Sequence, residues 1–304
     1  MTLSYLPVHF VLHFAQPVFA DTPPLFILRS MLGKNLHSMS CIAHQNQCPE
    51  CMYNRTCAYA FLFETILPAD NNVTPDRDRA SHPFVFTSGT LRTGTEIREY
   101  NFTITLLGKA IDYLPYIYAA FVRAGKDGIF KSRTQFEVVG VEVDGTNILL
   151  DSEHLDTCVS PKLWQPDFEC SDKKGEILVE LKTPLRFKYG GKYGTDFSAQ
   201  DFFACLYRRT KTLCTLYGDW DDSTEYNPTK EIEITERNLK WQDYCHYSAR
   251  QKKAMNLGGA LGTFKLSETF TAIEQNLLQF ASFFNAGKNT NFGLGQLDFW
   301  TKWE

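Results

Sequence analysis

A chain of 304 residues exceeds the usual size of one domain, so two domains of roughly 150 residues each are the first expectation. Hydrophobic residues at 43% and aromatics at 14% supply buried cores, which excludes disorder as the dominant state. With 31 basic against 35 acidic residues the formal charge is -4, so the chain is not a basic protein overall and any nucleic-acid contact must rest on local patches.

In chain order, Tyr5 to Ala20 has the outline of a secretory signal, an apolar run closing on Val18-Phe19-Ala20. No Lys or Arg precedes it, His9 and His13 interrupt it, and Val8, Phe10, Leu12 and Phe14 alternate as in a half-buried strand. No uninterrupted apolar segment approaches the ~20 residues needed to cross a bilayer. A soluble, cytoplasmic protein with no membrane partner is expected, and its nine cysteines are expected to be reduced.

Asp21-Thr22-Pro23-Pro24 opens a helix, with prolines where missing amide donors cost least. Leu25, Leu28, Leu32 and Leu36 follow at helical spacing, which puts Ser30, Lys34 and His37 together on the opposite face. A cysteine-rich insertion at 41–57 and a polar loop come next. Strand patterns at Pro83–Phe86 and Ile97–Leu107, a helix marked by Leu114, Ile117 and Phe121, and a strand from Phe136 complete the order βαββαβ. Residues 151–174, irregular and proline-bearing, read as a linker. Beyond it come a strand at Ile177–Leu181, a helix capped by Ser198, two strands within Glu231–Tyr247, a strand at Leu261–Leu266, a helix from Phe270 to Phe284, and a strand at Phe292–Phe299. The repeated order predicts an α+β chain of tandem ferredoxin-like (RRM-like, βαββαβ) domains, at 1–150 with the insertion and at 175–304.

Cys41, Cys48, Cys51 and Cys57 form a C-x6-C-x2-C-x5-C array that matches a closed structural zinc site with no position left for water and thus no part in catalysis; an iron–sulfur cluster, whose common ferredoxin runs it does not fit, and unrelated buried cysteines are the alternatives. Cys158, Cys170, Cys205, Cys214 and Cys245 have no ligand spacing and read as packing residues. Between the last helix and strand, Gly287-Lys288-Asn289-Thr290-Asn291-Phe292-Gly293-Leu294-Gly295 is a loop whose backbone amides could approach phosphate oxygens or which could only turn the chain. A nucleotide-hydrolase phosphate loop fits poorly, because Lys288 directly follows Gly287 and a strand comes next. Tyr189, Tyr193 and Tyr247 lie near basic residues and could stack unpaired bases.

Tyr247-Ser248-Ala249-Arg250-Gln251-Lys252-Lys253, then Leu257-Gly258-Gly259-Ala260-Leu261-Gly262, together with the terminal glycine-rich loop, resemble the C-terminal half of the CRISPR precursor-RNA processing endoribonucleases, the Cas six family of RAMP proteins. Thr183-Pro184-Leu185-Arg186-Phe187 and the helix ending Tyr207-Arg208-Arg209 are similar to their counterparts there. In the first half the resemblance runs through Leu28-Arg29-Ser30-Met31-Leu32-Gly33, Cys57-Ala58-Tyr59-Ala60-Phe61-Leu62-Phe63-Glu64, and Gly128 with Arg133.

The resemblance implies tandem ferredoxin-like domains that bind CRISPR repeat RNA and cut it once in each repeat, with no cofactor for catalysis. It implies RNA contacts at Arg29, Arg133, Arg186, Arg208, Arg209, Arg250, Lys252, Lys253, Gly287, Lys288, Asn289, Thr290, Gly293 and Gly295, and partners among other CRISPR effector or adaptation proteins. In such a cut the ribose 2′-hydroxyl attacks the adjacent phosphate, which calls for a base, an acid and positive charge on the phosphorane. Histidine can take either proton role near neutrality. Of the seven histidines, His37 is chosen, with Lys34 and Ser30 beside it and His44 and His246 in reserve. Two other readings stand beside this one: a non-cleaving RNA-binding RAMP subunit of an effector complex, and a zinc-stabilised scaffold whose loop is only a turn.

Overall fold

The computed structural model describes residues 1–43, 48–67, 80–89, 91, 93–221, 226–228, 231–248 and 253–304. The chain divides into two compact units, Ser4–Leu163 and Trp164–Glu304, the latter joined by Met1–Leu3.

The first unit runs β1 (Leu3–Ala20), α1 (Pro24–Ser40), β2 (Phe84–Thr87), β3 (Thr95–Leu107), α2 (Leu114–Asp127), β4 (Phe136–Val143), β5 (Thr146–Asn147) and β6 (Lys162–Trp164). Its antiparallel sheet has the order β2-β3-β1-β4-β5, with β6 pairing to β1. Alternation in β1 sends Val8, Phe10, Leu12 and Phe14 into the core. There Phe10 meets Phe102 and Phe121 at ring distances of 5.3 and 5.2 Å. Each such ring, fully buried, stabilises the fold by about 1.5–3 kcal/mol. Pro24 starts α1, whose Leu25, Leu28, Leu32 and Leu36 are buried as their spacing predicts. Gly33 lets the helix close on Phe63, since a Cβ there would lie 2.9 Å from the ring.

The second unit runs β7 (Lys173–Leu185), α3 (Ala199–Tyr217), β8 (Glu233–Gln242), β9 (Cys245–Ser248), β10 (Lys253–Asn256), β11 (Gly259–Phe270), α4 (Ala272–Phe284) and β12 (Leu297–Trp303). Its main sheet has the order β12-β7-β11-β8, and β9 with β10 forms a separate hairpin. Counting the long strands alone, both sheets read 2-3-1-4 along one direction, the ferredoxin-like order. Ser198 caps α3 in a reciprocal box with Asp201.

Several expectations shift in detail. Phe270 ends β11 and does not enter the last helix. The final strand starts at Leu297, not Phe292, because Thr290–Phe292 makes a 3-10 turn and Gly293 and Gly295 hold positive φ of 83° and 76°, which a strand cannot contain. Within 151–174, read as linker, lie β6 and the first residues of β7. Cys205 and Cys214 are buried as packing residues, whereas Cys158 and Cys245 are exposed.

Candidate functional site

The glycine-rich loop leaves α4 at Phe284 and packs against the end of β7. Lys288 N donates to Arg186 O at 2.8 Å, Gly295 N to Pro184 O at 3.1 Å, and Ala286 N to Gly295 O at 2.8 Å. This closeness explains two glycines: a Cβ on Gly287 would lie 2.5 Å from Arg186 O, and one on Gly295 would lie 1.9 Å from Ala286 O. Both also hold positive φ, the region that glycine alone enters without strain. The amides of Phe292, Gly293 and Leu294 donate within the loop as well. Lys288, Asn289 and Asn291 are the half-buried residues between Gly287 and Phe292.

Arg209 on α3 holds this loop from beneath. Its guanidinium donates to Phe284 O and Asn285 O, each at 3.1 Å, and to Thr290 Oγ1 at 2.8 Å. Two of these acceptors are carbonyls at the C-terminal end of α4, where the helix dipole is negative. Asn285 Nδ2 closes the other side of the loop on Leu294 O at 3.1 Å. Burial lowers the Arg209 pKa to about 10, which leaves it charged at neutral pH. Arg209, Thr290, Gly293 and Gly295, expected as RNA contacts, are all buried in this structure and shape the loop from inside. Arg208, the next residue along the helix, is exposed. Burial pushes the Cys205 thiol beneath up to about 11, against the pull of Arg208, Arg209, the Gly287 amide and Lys288.

Beside the loop stands a hairpin turn. Tyr189 N donates to Lys192 O at 3.1 Å and Lys192 N to Tyr189 O at 3.0 Å, with Gly190 and Gly191 at φ of 51° and 80° between them. Positive φ at both central residues is the turn that suits a two-residue hairpin. Tyr189 is buried, and its phenol accepts from Asp196 N, so it anchors the turn and is not available to a base. Tyr193 is half-buried and ringed by cations. The Arg186 guanidinium lies 4.0 Å from its ring centre, and the ammonium groups of Lys188 and Lys288 lie at 5.6 and 5.8 Å. Arg186 is itself fixed by a 2.9 Å hydrogen bond to Gly258 O. Arg250 and Lys252 fall outside the described residues, as does the side chain of Lys253 on β10.

In the first unit, Ser30, Lys34 and His37 share a stripe of α1, and each has a contact of its own. Ser30 Oγ donates to Phe26 O at 2.9 Å, inside its own helix. Lys34 Nζ pairs with Asp127 at 3.0 Å, and this ammonium, helped by Arg123 and Arg133, holds the Asp127 carboxyl below the usual range. The half-buried His37 ring meets Tyr59 edge-on at 4.6 Å. Arg29 bonds His82 Nε2 at 3.0 Å and lies 5.1 Å over the Phe63 ring. Arg133 is exposed in a left-handed turn. Of the reserve histidines, His44 lies outside the described residues, and His246 is buried against Phe292. Asp127 and His82 gave no sequence signal, because their partners lie 93 and 53 residues away.

The insertion does not fit a four-thiolate zinc centre. Among the described residues no three or more Cys, His, Asp or Glu side chains gather as a metal site. Cys57 Sγ turns to Ser40 O at 3.9 Å, and the segment folds on backbone bonds such as Cys51 N to Cys48 O and Cys57 N to Tyr53 O. The structural zinc expected from spacing is therefore unsupported: among the described residues these thiols do not gather in a group of three or more.

Two family models match the chain. Residues 3–159 match AF_1859_N, an N-terminal domain, and residues 179–297 match the CRISPR-associated endoribonuclease Cas6. No curated protein matches the sequence. Among solved structures, the product complex of Cas6 TTHB231 aligns with a TM-score of 0.53 at 15% identity, over 99% of this chain and 100% of that one. Thermus thermophilus Cas6 TTHB231 aligns at 0.51 and 15%, over 98% and 99%. A partial Cas6-RT-Cas1–Cas2 complex aligns at 0.53 and 14%, over 99% of this chain but 46% of that one. At these identities the likeness bears on the fold alone.

Proposed function

We propose that this chain, whose residues 179–297 match the family model of the CRISPR-associated Cas6 endoribonucleases, binds CRISPR repeat RNA and cuts the precursor transcript once within each repeat. The observation that carries this reading is the match of the Cas6 family model to residues 179–297, a stretch that contains both the Lys288 loop and the cations around Tyr193. The Cas6-RT-Cas1–Cas2 assemblies of its structural relatives support adaptation proteins as partners.

The reaction is a metal-independent transesterification. The ribose 2′-oxygen forms a bond to the adjacent phosphorus as the bond to the 5′-oxygen breaks, leaving a 2′,3′-cyclic phosphate and a 5′-hydroxyl. One proton leaves the 2′-hydroxyl and one reaches the 5′-oxygen. His37, at the half-buried edge of α1, is the residue assigned to one of these transfers. Lys34, one turn earlier, is held by Asp127 in the free protein and supplies charge to the phosphorane when RNA competes for it.

The test is incubation of the purified protein with the repeat RNA of its own host, with and without chelator. Cyclic phosphate ends, unchanged activity in chelator, and no cut when the nucleotide before the cleavage point carries a 2′-deoxyribose are the expected results. Products with 5′-phosphate ends would point to metal-assisted hydrolysis instead. Salt-sensitive binding with no cut at all would leave the non-cleaving RNA-binding subunit as the better reading.

A further inference from the structure

We propose that Tyr193 seats one unpaired nucleotide of the bound RNA, its base stacked on the phenol ring and its flanking phosphates held by Lys188 and Lys288. The proposal rests on the reading of the chain as a repeat-RNA nuclease and adds what that reading leaves open, namely that the RNA meeting this unit is single-stranded there.

Arg186, Lys188 and Lys288 surround one ring. Lys288 Nζ is 3.5 Å from the phenol oxygen but 5.8 Å from the ring centre, so it stands beyond the rim of the ring on the hydroxyl side. Arg186 lies 4.0 Å from the ring centre, and the half-exposed ring is the surface the proposal gives to the base. No ion pair forms between Arg186, Lys188, Lys192 or Lys288 and a carboxylate among the described residues, in contrast to Lys182, which has Glu180 at 2.7 Å and Asp298 at 3.5 Å. An uncompensated group of cations attracts phosphate, and an aromatic ring among them selects phosphates that carry an accessible base.

The platform is also rigid before RNA arrives. The Tyr189–Lys192 turn is closed by two backbone bonds and pinned through the Tyr189 phenol, and a Cβ on Gly190 or Gly191 would meet open space. The turn thus projects outward while its base is fixed, and little ordering is left to oppose binding. A paired base cannot use such a ring, because both its faces are covered within the duplex.

The experiment compares wild type with Tyr193→Phe, Tyr193→Leu and Lys288→Ala, using fluorescence anisotropy with a labelled single-stranded oligouridylate and a fully paired RNA of the same length. Circular dichroism checks that each variant is folded. Tyr193→Phe keeps single-strand affinity, whereas Tyr193→Leu lowers it by roughly 5- to 150-fold and leaves duplex affinity within twofold. Lys288→Ala weakens both RNAs and flattens their salt dependence. Single-strand affinity within twofold of wild type in Tyr193→Leu overturns the proposal, as does an equal loss on both RNAs, while the nuclease reading survives either result. Absence of wild-type binding to the single strand, the duplex and the host repeat alike would remove the nuclease reading and this proposal with it.

Discussion

Arg209 was legible in the sequence as a basic residue beside Arg208, but its direction was not. Adjacent helical residues point about 100° apart, so one of the two guanidiniums faces solvent and the other is buried under the loop. A buried guanidinium whose acceptors are two carbonyls and a hydroxyl is costly to disturb. Thr290→Val removes one acceptor at constant shape and is expected to lower unfolding free energy by roughly 1–3 kcal/mol. Arg209→Lys is expected to lower it further, since one ammonium cannot span all three acceptors. The two losses, measured by urea denaturation, should be less than additive in the double variant; full additivity would mean that the Arg209–Thr290 bond contributes nothing. Asp127 gives a second residue-scale expectation. Its folded pKa lies below the ordinary aspartate value, so its pairing with Lys34 contributes stability above that value and loses it as pH falls through the folded one. Carboxyl NMR should place its titration low, and Lys34→Ala should move it upward.

Elements were the scale at which the sequence spoke most clearly. The leucine spacing of α1, the alternation of β1 and the Ser198 cap of α3 each depend on neighbours within a few residues, and each appears as expected. Ser198→Ala leaves the Asp201 amide at the third helical position without its acceptor and is expected to cost about 0.5–2 kcal/mol of stability in a denaturant titration, with Ser198→Gly costing a few tenths. An equal loss in both variants would mean that the hydroxyl is not acting as a cap. The last strand failed for an equally local reason: Phe292, Leu294 and Leu297 are apolar enough for a strand, but glycines at positive φ between them cannot extend. The four-cysteine array failed because spacing fixes only how far thiols can reach. It does not fix where the intervening backbone turns them.

For the whole molecule the decisive measurement is the rate of RNA cleavage. General acid–base catalysis is worth typically 10²–10⁴-fold, so His37→Ala is expected to slow single-turnover cleavage of repeat RNA by about that factor while leaving affinity nearly unchanged. Full activity in His37→Ala would pass the role to His44 or His246. Of these, His246 is less suited, being buried against Phe292.

By itself the sequence determined the element order, the tandem ferredoxin-like plan and the resemblance to the Cas6 family that the model match over residues 179–297 supports, because periodicity, caps and the motif residues are set by close neighbours in the chain. Only the tertiary structure decided which basic residues are drawn into the protein and which stay at its surface. Arg209 and Lys288 belong to one loop assembly and carry the same charge, yet the α4 carbonyls draw the first inward while the second stands beside Tyr193. That difference comes from contacts of 75 to 95 residues in sequence separation, which no local pattern encodes.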